Sequence, residues 1–368
     1  MCDDKQKEEF EFVKEYGLTM LCSYEGESRT IAVPLEYDGE TVCGVSSSFR
    51  YMGKYPGMIS EIVLHSKIQY MEARSFMYFA NLERITVDKD NEYFYDRDGA
   101  VFEKGTDKLI FYPNNPYCDI DKVMLGAKSI GSFAFSNSSI EEFIMPDSIA
   151  SVDQTAFEMC ITLQHFEFNN KIDRIPCAMF DGCTGLESVD MKNVLHVDLY
   201  AFRGCARIKN IDCSKLLTIG AGAFSGCKYL ERVYLNKDVI FTQLGEFGNH
   251  AFHACHELKG VTIENGSSLY KSVDGVLFSA DGKTLLIYPC GKSDEHFDIP
   301  DSVKIISNSA FMNNSYIKSV NTPSSVIEIQ KQAFARCGNL QEVKMSGGIE
   351  NIARDAFYNC NKLELKTQ

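Results

Sequence analysis

Three histidines, His250, His253 and His256, recur every third residue in Asn-His-Ala-Phe-His-Ala-Cys-His. That spacing lines imidazoles along one side of a short helix or 3₁₀ turn. Three ring nitrogens, with Glu257 beside them, would hold Zn²⁺ or Ni²⁺. The corresponding positions elsewhere in the chain carry Glu, Asp, Arg, Ser or Tyr, so the bland alternative is variable surface. Three carboxylates form a second constellation, Glu167, Asp190 and Asp212, 23 and 22 residues apart. On strands stacked about 4.8 Å apart they would lie side by side. Each neighbouring pair would then repel by roughly 1–3 kcal/mol at effective dielectrics of about 80 to 20. Splayed rotamers in water, partial protonation, a bound cation or a basic partner would each relieve this. Glu187 and Tyr234 flank the series and complete a candidate partner-binding patch.

Cysteine is the third chemistry-bearing residue, with 14 in the chain. Seven of them, Cys160, Cys183, Cys205, Cys227, Cys255, Cys337 and Cys360, each follow a phenylalanine by three residues. Met52, Phe79, Ser138 and Asn314 fill the same slot elsewhere, which reads as a buried position taking compact, mostly apolar groups. Parallel inward side chains offer poor disulfide torsions, and no Cys-x-x-Cys occurs. So many free thiols suit a reducing or anaerobic setting. Catalytic signatures are missing: there is no Gly-x-Ser-x-Gly and no His-Glu-x-x-His. Gly282-Lys283-Thr284 imitates the end of a phosphate loop, but Leu277 stands where the first glycine belongs. We therefore expect no enzyme and no cofactor.

The elements that position these residues follow from an internal repeat. Ala-Phe recurs at Phe135, Phe157, Phe202, Phe224, Phe252, Phe311, Phe334 and Phe357, with Phe49, Phe76 and Phe180 in the same slot after Ser or Met. Successive anchors are 22 or 23 residues apart in most places, with two gaps of 59. After the anchor comes an apolar spacing typified by Leu186-x-x-Val189-x-Met191 and Leu230-x-x-Val233-x-Leu235. Its end has the period of two that marks a strand. Each coil offers only about six inward side chains, too few to fold alone but enough when neighbours stack. The expected fold is a leucine-rich repeat solenoid of right-handed coils of about 22–23 residues. Each coil would carry one parallel strand, with turns and short helical segments on the opposite side and two β-hairpin insertions. In that frame Glu167, Asp190, Asp212 and Tyr234 occupy the outward strand position, and the phenylalanine and cysteine slots face the core.

Residues 1–48 read as a β-hairpin cap, with Leu18–Cys22 and Thr30–Val33 turning at Glu25-Gly26. A single solenoid over 49–368 would follow. Its hairpin insertions, at about 88–120 and 264–297, align without gaps from Asp98-Gly99 to Pro113 and from Asp274-Gly275 to Pro289. Each reads as two strands joined by a turn.

The recurring Ala-Phe-x-x-Cys, with Ile299-Pro300-Asp301-Ser302-Val303 and Met145-Pro146-Asp147-Ser148-Ile149, resembles the BspA-type leucine-rich repeat family over about residues 45–368. That resemblance implies a cell-surface or secreted protein that adheres to host extracellular components or to other cells. The polar, acidic start Met1–Phe12 shows no secretory signal, which favours the competing expectation of a cytoplasmic interaction scaffold. Lys and Arg total 37 against 51 Asp and Glu, a net charge of −14 that argues against nucleic acid or anionic membrane as partner. No apolar run approaches the length of a membrane span. A protein partner is expected.

Overall fold

The computed structural model describes residues 9–53, 58–77, 79, 81–115, 118–242 and 251–364. Two compact units emerge: one of Met1–Leu163 with Asn169–Ile172, the other of Gln164–Phe168 with Asp173–Gln368. Each is a stack of short coils with its own buried apolar core.

The anchors stack face to face, as a 22–23-residue repeat requires. Phe135 and Phe157 lie 4.6 Å apart and nearly parallel in the first unit. In the second unit Phe202 and Phe224 stack at 5.3 Å, and Phe311 and Phe334 at 4.6 Å. Anchor backbones join the same stack: the Phe202 N–H donates to Ala223 O and the Phe311 N–H to Ala333 O, each at 2.7 Å.

Where the sequence suggests one strand per coil, most coils contribute two. A first ladder follows the apolar run, pairing His165–Glu167 with Ser188–Asp190, and Arg232–Leu235 with Gly260–Ile263, all parallel. A second ladder precedes the anchor and runs from Arg174–Ile175 through His196–Val197 and Thr218–Gly220 to Ile240–Thr242. Its strands are mostly two or three residues long, too short to leave an alternation in the sequence.

Helix is nearly absent among the described residues, which hold one 3₁₀ turn, Ala73–Phe76, and one short α-helix, Ile120–Met124. The expected helical segments are turns, for a steric reason. In most coils two residues, two before and two after the anchor, adopt left-handed φ: Thr155 and Met159, Tyr200 and Gly204, Ser309 and Asn313. That conformation cannot propagate a right-handed helix.

Each insertion is a three-stranded meander rather than two strands: Phe94–Arg97, Ala100–Glu103 and Lys108–Phe111, and later Tyr270–Val273, Val276–Ser279 and Thr284–Ile287. The third strand of each also enters the second ladder, so only the preceding hairpin is extra chain. Tyr112 and Tyr288 then take the anchor place, Tyr112 packing tilted against Phe135 at 4.7 Å and Tyr288 stacking on Phe311 at 4.6 Å. Gly275, at φ +76°, serves the hairpin turn, where a Cβ would come within 2.8 Å of the Gly260 Cα.

At the N-terminus the structure corrects the expected hairpin. Leu18–Tyr24 pairs antiparallel with Phe10–Glu15, about a turn at Tyr16 and Gly17, both of positive φ. Thr30–Ala32 instead joins the first ladder beside Glu61–Leu64. Packing explains the choice, because Ile31 is fully buried among core residues that include Ile62 and Ile85.

Candidate partner-binding face

Glu167 and Asp190 lie directly opposite each other in the parallel register of the first ladder, in the second unit. Alternation fixes their outward aim, since Phe166 between the two outward residues of its strand is fully buried. Their mutual repulsion is relieved locally. The Lys192 N–H donates to Asp190 Oδ1 at 3.1 Å, and Lys192 Nζ reaches Oδ2 at 2.5 Å. The Lys192 side chain holds the Asp190 carboxyl below the usual carboxylate range, so partial protonation is not the remedy.

Asp212 departs from the expected row of three. Residues 211–213 form no strand, and the Asp212 carboxylate folds onto its own chain. It accepts from the Ser214 N–H at 2.9 Å and hydroxyl at 2.6 Å, which also lowers its pKa. This is the aspartate turn that competes with extended pairing. Glu187 forms an exposed ion pair with Arg207 at 3.2 Å. Tyr234, 58% exposed, stands in register with Thr262. The face thus combines fixed negative charge with one open aromatic ring.

Sequence reasoning missed His165, which shares the outward side of the strand with Glu167. Its Nδ1 lies 2.7 Å from Ser188 Oγ, its register partner one coil on. His196 with Thr218 (2.9 Å) and His296 with Ser319 (2.6 Å) repeat the arrangement. Its recurrence on both ladders marks it as stitching between coils rather than a catalytic serine–histidine dyad. Histidine followed by a hydroxyl residue one period later was the available signal.

Of the three spaced histidines, His250 lies outside the described residues. His253 is engaged on both ring nitrogens: Nε2 accepts from the Asn313 amide at 2.7 Å, and Nδ1 lies 3.4 Å from Ser225 Oγ. His256 is exposed, and Cys255 points inward. Among the described residues no group of three or more His, Cys, Asp or Glu is placed to hold a metal ion. The described cysteines are all free thiols. Those of the ladder slot donate to the anchor carbonyl one coil back: Cys160 to Phe135, Cys227 to Phe202 and Cys337 to Phe311, at 3.0–3.3 Å. Asn314 fills the slot differently. Its amide donates to Pro289 O and Lys292 O while its oxygen accepts from the Tyr316 and Ile317 N–H groups.

Comparison with known proteins follows the same lines. The model of the BspA-type leucine-rich repeat region matches six copies over residues 128–259 and 288–366, more than half the chain. No curated protein sequence matches. A leucine-rich repeat protein from Eubacterium ventriosum is similar in fold at 17% identity and a TM-score of 0.52, over 74% of this chain and 75% of that one. A leucine-rich cell surface protein from Faecalibacterium prausnitzii aligns over 97% of this chain and 86% of its own, at 21% identity and a TM-score of 0.47.

Proposed function

Because the chain belongs to the BspA-type leucine-rich repeat family, we propose that it is an adhesin-like recognition protein that binds a basic surface on an extracellular protein through its outward strand face. Solenoids of this kind are protein-interaction scaffolds, presenting an extended surface and many small polar contacts. The carrying observation is the register of Glu167 against Asp190, two carboxylates on adjacent coils of one face. A guanidinium or ammonium group from a partner lying across both would meet the Glu167 carboxylate and add to the pairing that Lys192 already gives Asp190. Tyr234 supplies the amphipathic ring that such interfaces favour.

The test is binding of the purified chain to a panel of immobilised matrix proteins, with Glu167→Gln/Asp190→Asn/Asp212→Asn as comparison. The reading requires at least one partner whose affinity falls roughly tenfold or more in the triple variant, about 1.4 kcal/mol, and also falls as salt rises. Equal affinity of the two proteins for every partner would end it. The second reading, an intracellular scaffold, draws on the free thiols throughout the described chain. Protection from external protease on intact native cells would favour it.

A further inference from the structure

In the first unit a recess of about 400 Å³ opens where the coil of Tyr112 lies between those of Phe76 and Phe135. That volume is within the range of small-molecule sites, roughly 300–1,000 Å³. Met71, Ile110 and Phe133 supply its apolar lining, and Glu72, Arg74, Lys108 and Asp153 its charged groups. Lys108 is already neutralised, with Nζ 2.6 Å from Asp153 Oδ2. Glu72 accepts from the Tyr70 hydroxyl at 2.6 Å. Arg74 is different. Its guanidinium lies over the Phe133 ring, 5.7 Å from the centroid, and among the described residues no carboxylate meets it.

The molecule shows elsewhere what such an arginine takes. Tyr200 occupies the slot of Phe133, two residues before its anchor, with the same left-handed backbone. Arg203 lies over the Tyr200 ring at 4.6 Å. There the guanidinium fork is filled: Nε donates to Asp181 Oδ1 at 2.8 Å, and a second nitrogen donates to Oδ2. A ring-stacked guanidinium is thus paired with a carboxylate in one place and faces an open recess in the other. The planar fork matches a carboxylate with two parallel hydrogen bonds.

We propose that this recess is a carboxylate-binding site, taking a small ligand whose carboxylate pairs with Arg74 and whose apolar body lies against Phe133 and Ile110. Two sources share that chemistry, a free amino acid and the C-terminal residue of a peptide. Glu72, on the same rim, would read the ammonium group of the first. The site is built from first-unit residues and shares none with the proposed partner face, so either reading can fail without the other.

The experiment titrates the full chain with N-acetyl-phenylalanine, its C-terminal amide and free phenylalanine, following the ligand's ring signals by saturation-transfer NMR so that parent and variants are read alike. We expect saturable binding of N-acetyl-phenylalanine in the millimolar range or tighter, no binding of the amide, and a loss of roughly tenfold or more in Arg74→Gln. Arg74 is exposed, so the variant should fold. Lys108→Gln should bind nearly as the parent does. Tighter binding of free phenylalanine than of its acetyl derivative would mark a free amino acid as the ligand type, and the reverse order a peptide C-terminus. No saturation by about 20 mM, equal binding of the amide, or loss confined to Lys108→Gln would each overturn the proposal.

Discussion

Cys205 and Phe180 lie on successive coils, and the Cys205 thiol donates to the Phe180 carbonyl at 3.1 Å. The bond turns the slot into a hydrogen-bonded seam between coils, because the thiol adds a second donor to an anchor carbonyl that already accepts from the Cys183 N–H of its own turn at 3.1 Å. Burial also pushes the Cys205, Cys213 and Cys227 thiols up, and Cys290 up to about 12. Reaction needs the thiolate. Under native conditions alkylation should therefore reach the half-buried Cys22, Cys43, Cys118, Cys177 and Cys360 and spare the buried ladder. Cys360, whose thiol is held below its ordinary pKa by the neighbouring Cys337 thiol, should react first. Peptide mapping after brief iodoacetamide treatment checks this, and early labelling of Cys205 or Cys227 would contradict it.

Phe202→Ala should cost about 3–5 kcal/mol, the range for a buried aromatic that leaves a cavity. Its ring stacks on Phe180 and Phe224, each at 5.3 Å, so damage should spread to those coils first. Hydrogen exchange should accelerate at the Phe180 and Phe224 amides and change little at Phe334. Equal acceleration at Phe334 would show that the unit opens only as a whole.

Asn314→Ala should cost roughly 2–4 kcal/mol, because it strands two buried carbonyls and two buried N–H groups. Asn314→Cys, although it restores the commonest residue of the slot, should recover little. A thiol offers one weak donor where Pro289 O and Lys292 O require two. Thermal unfolding of both variants checks the point, and wild-type stability in Asn314→Cys would refute it.

His65 gives the first unit a pH dependence. Its Nδ1 accepts from the Lys67 N–H at 3.1 Å, which leaves Nε2 to donate to Pro34 O, also at 3.1 Å. Burial holds its pKa below the ordinary histidine value of about 6.5. The unfolded chain therefore takes up the proton first on acidification. The stability His65 contributes is present above about pH 6.5 and is lost as pH falls from there through the lowered folded value. Exchange-derived opening energies at the Ile62 and Leu64 amides should decline from pH 7 to pH 5 more steeply in the parent than in His65→Gln. Identical slopes would exclude His65 as the cause.

Much of the architecture was legible because it rests on residues that recur. The anchors, the inward apolar run and the thiol slot each leave a 22–23-residue trace. Tyr112 and Tyr288 escaped notice because Tyr-Pro does not look like Ala-Phe, although each lies 23 residues before the next anchor. The second ladder escaped because two-residue strands carry no period. The N-terminal pairing depended on where Ile31 finds a core, a tertiary decision. For the candidate face, register was readable, and Glu167 does stand beside Asp190. The local bonds that draw Asp212 onto Ser214 were not. Arg74 over Phe133 joins residues nearly 60 apart across an insertion, a juxtaposition that only the folded coils reveal.

The central claim is that a protein partner covers the outward strand face of the second unit. Hydroxyl-radical footprinting of the chain, alone and bound to the matrix protein it retains best, addresses this directly. The reading requires reduced oxidation of Tyr234 in the complex, together with reduced carbodiimide labelling of Glu167 and Asp190, while Tyr358, exposed beside the Phe357 anchor, stays unchanged. Protection of Tyr358 with Tyr234, Glu167 and Asp190 labelled as in the free chain would place the partner elsewhere and contradict the proposed function.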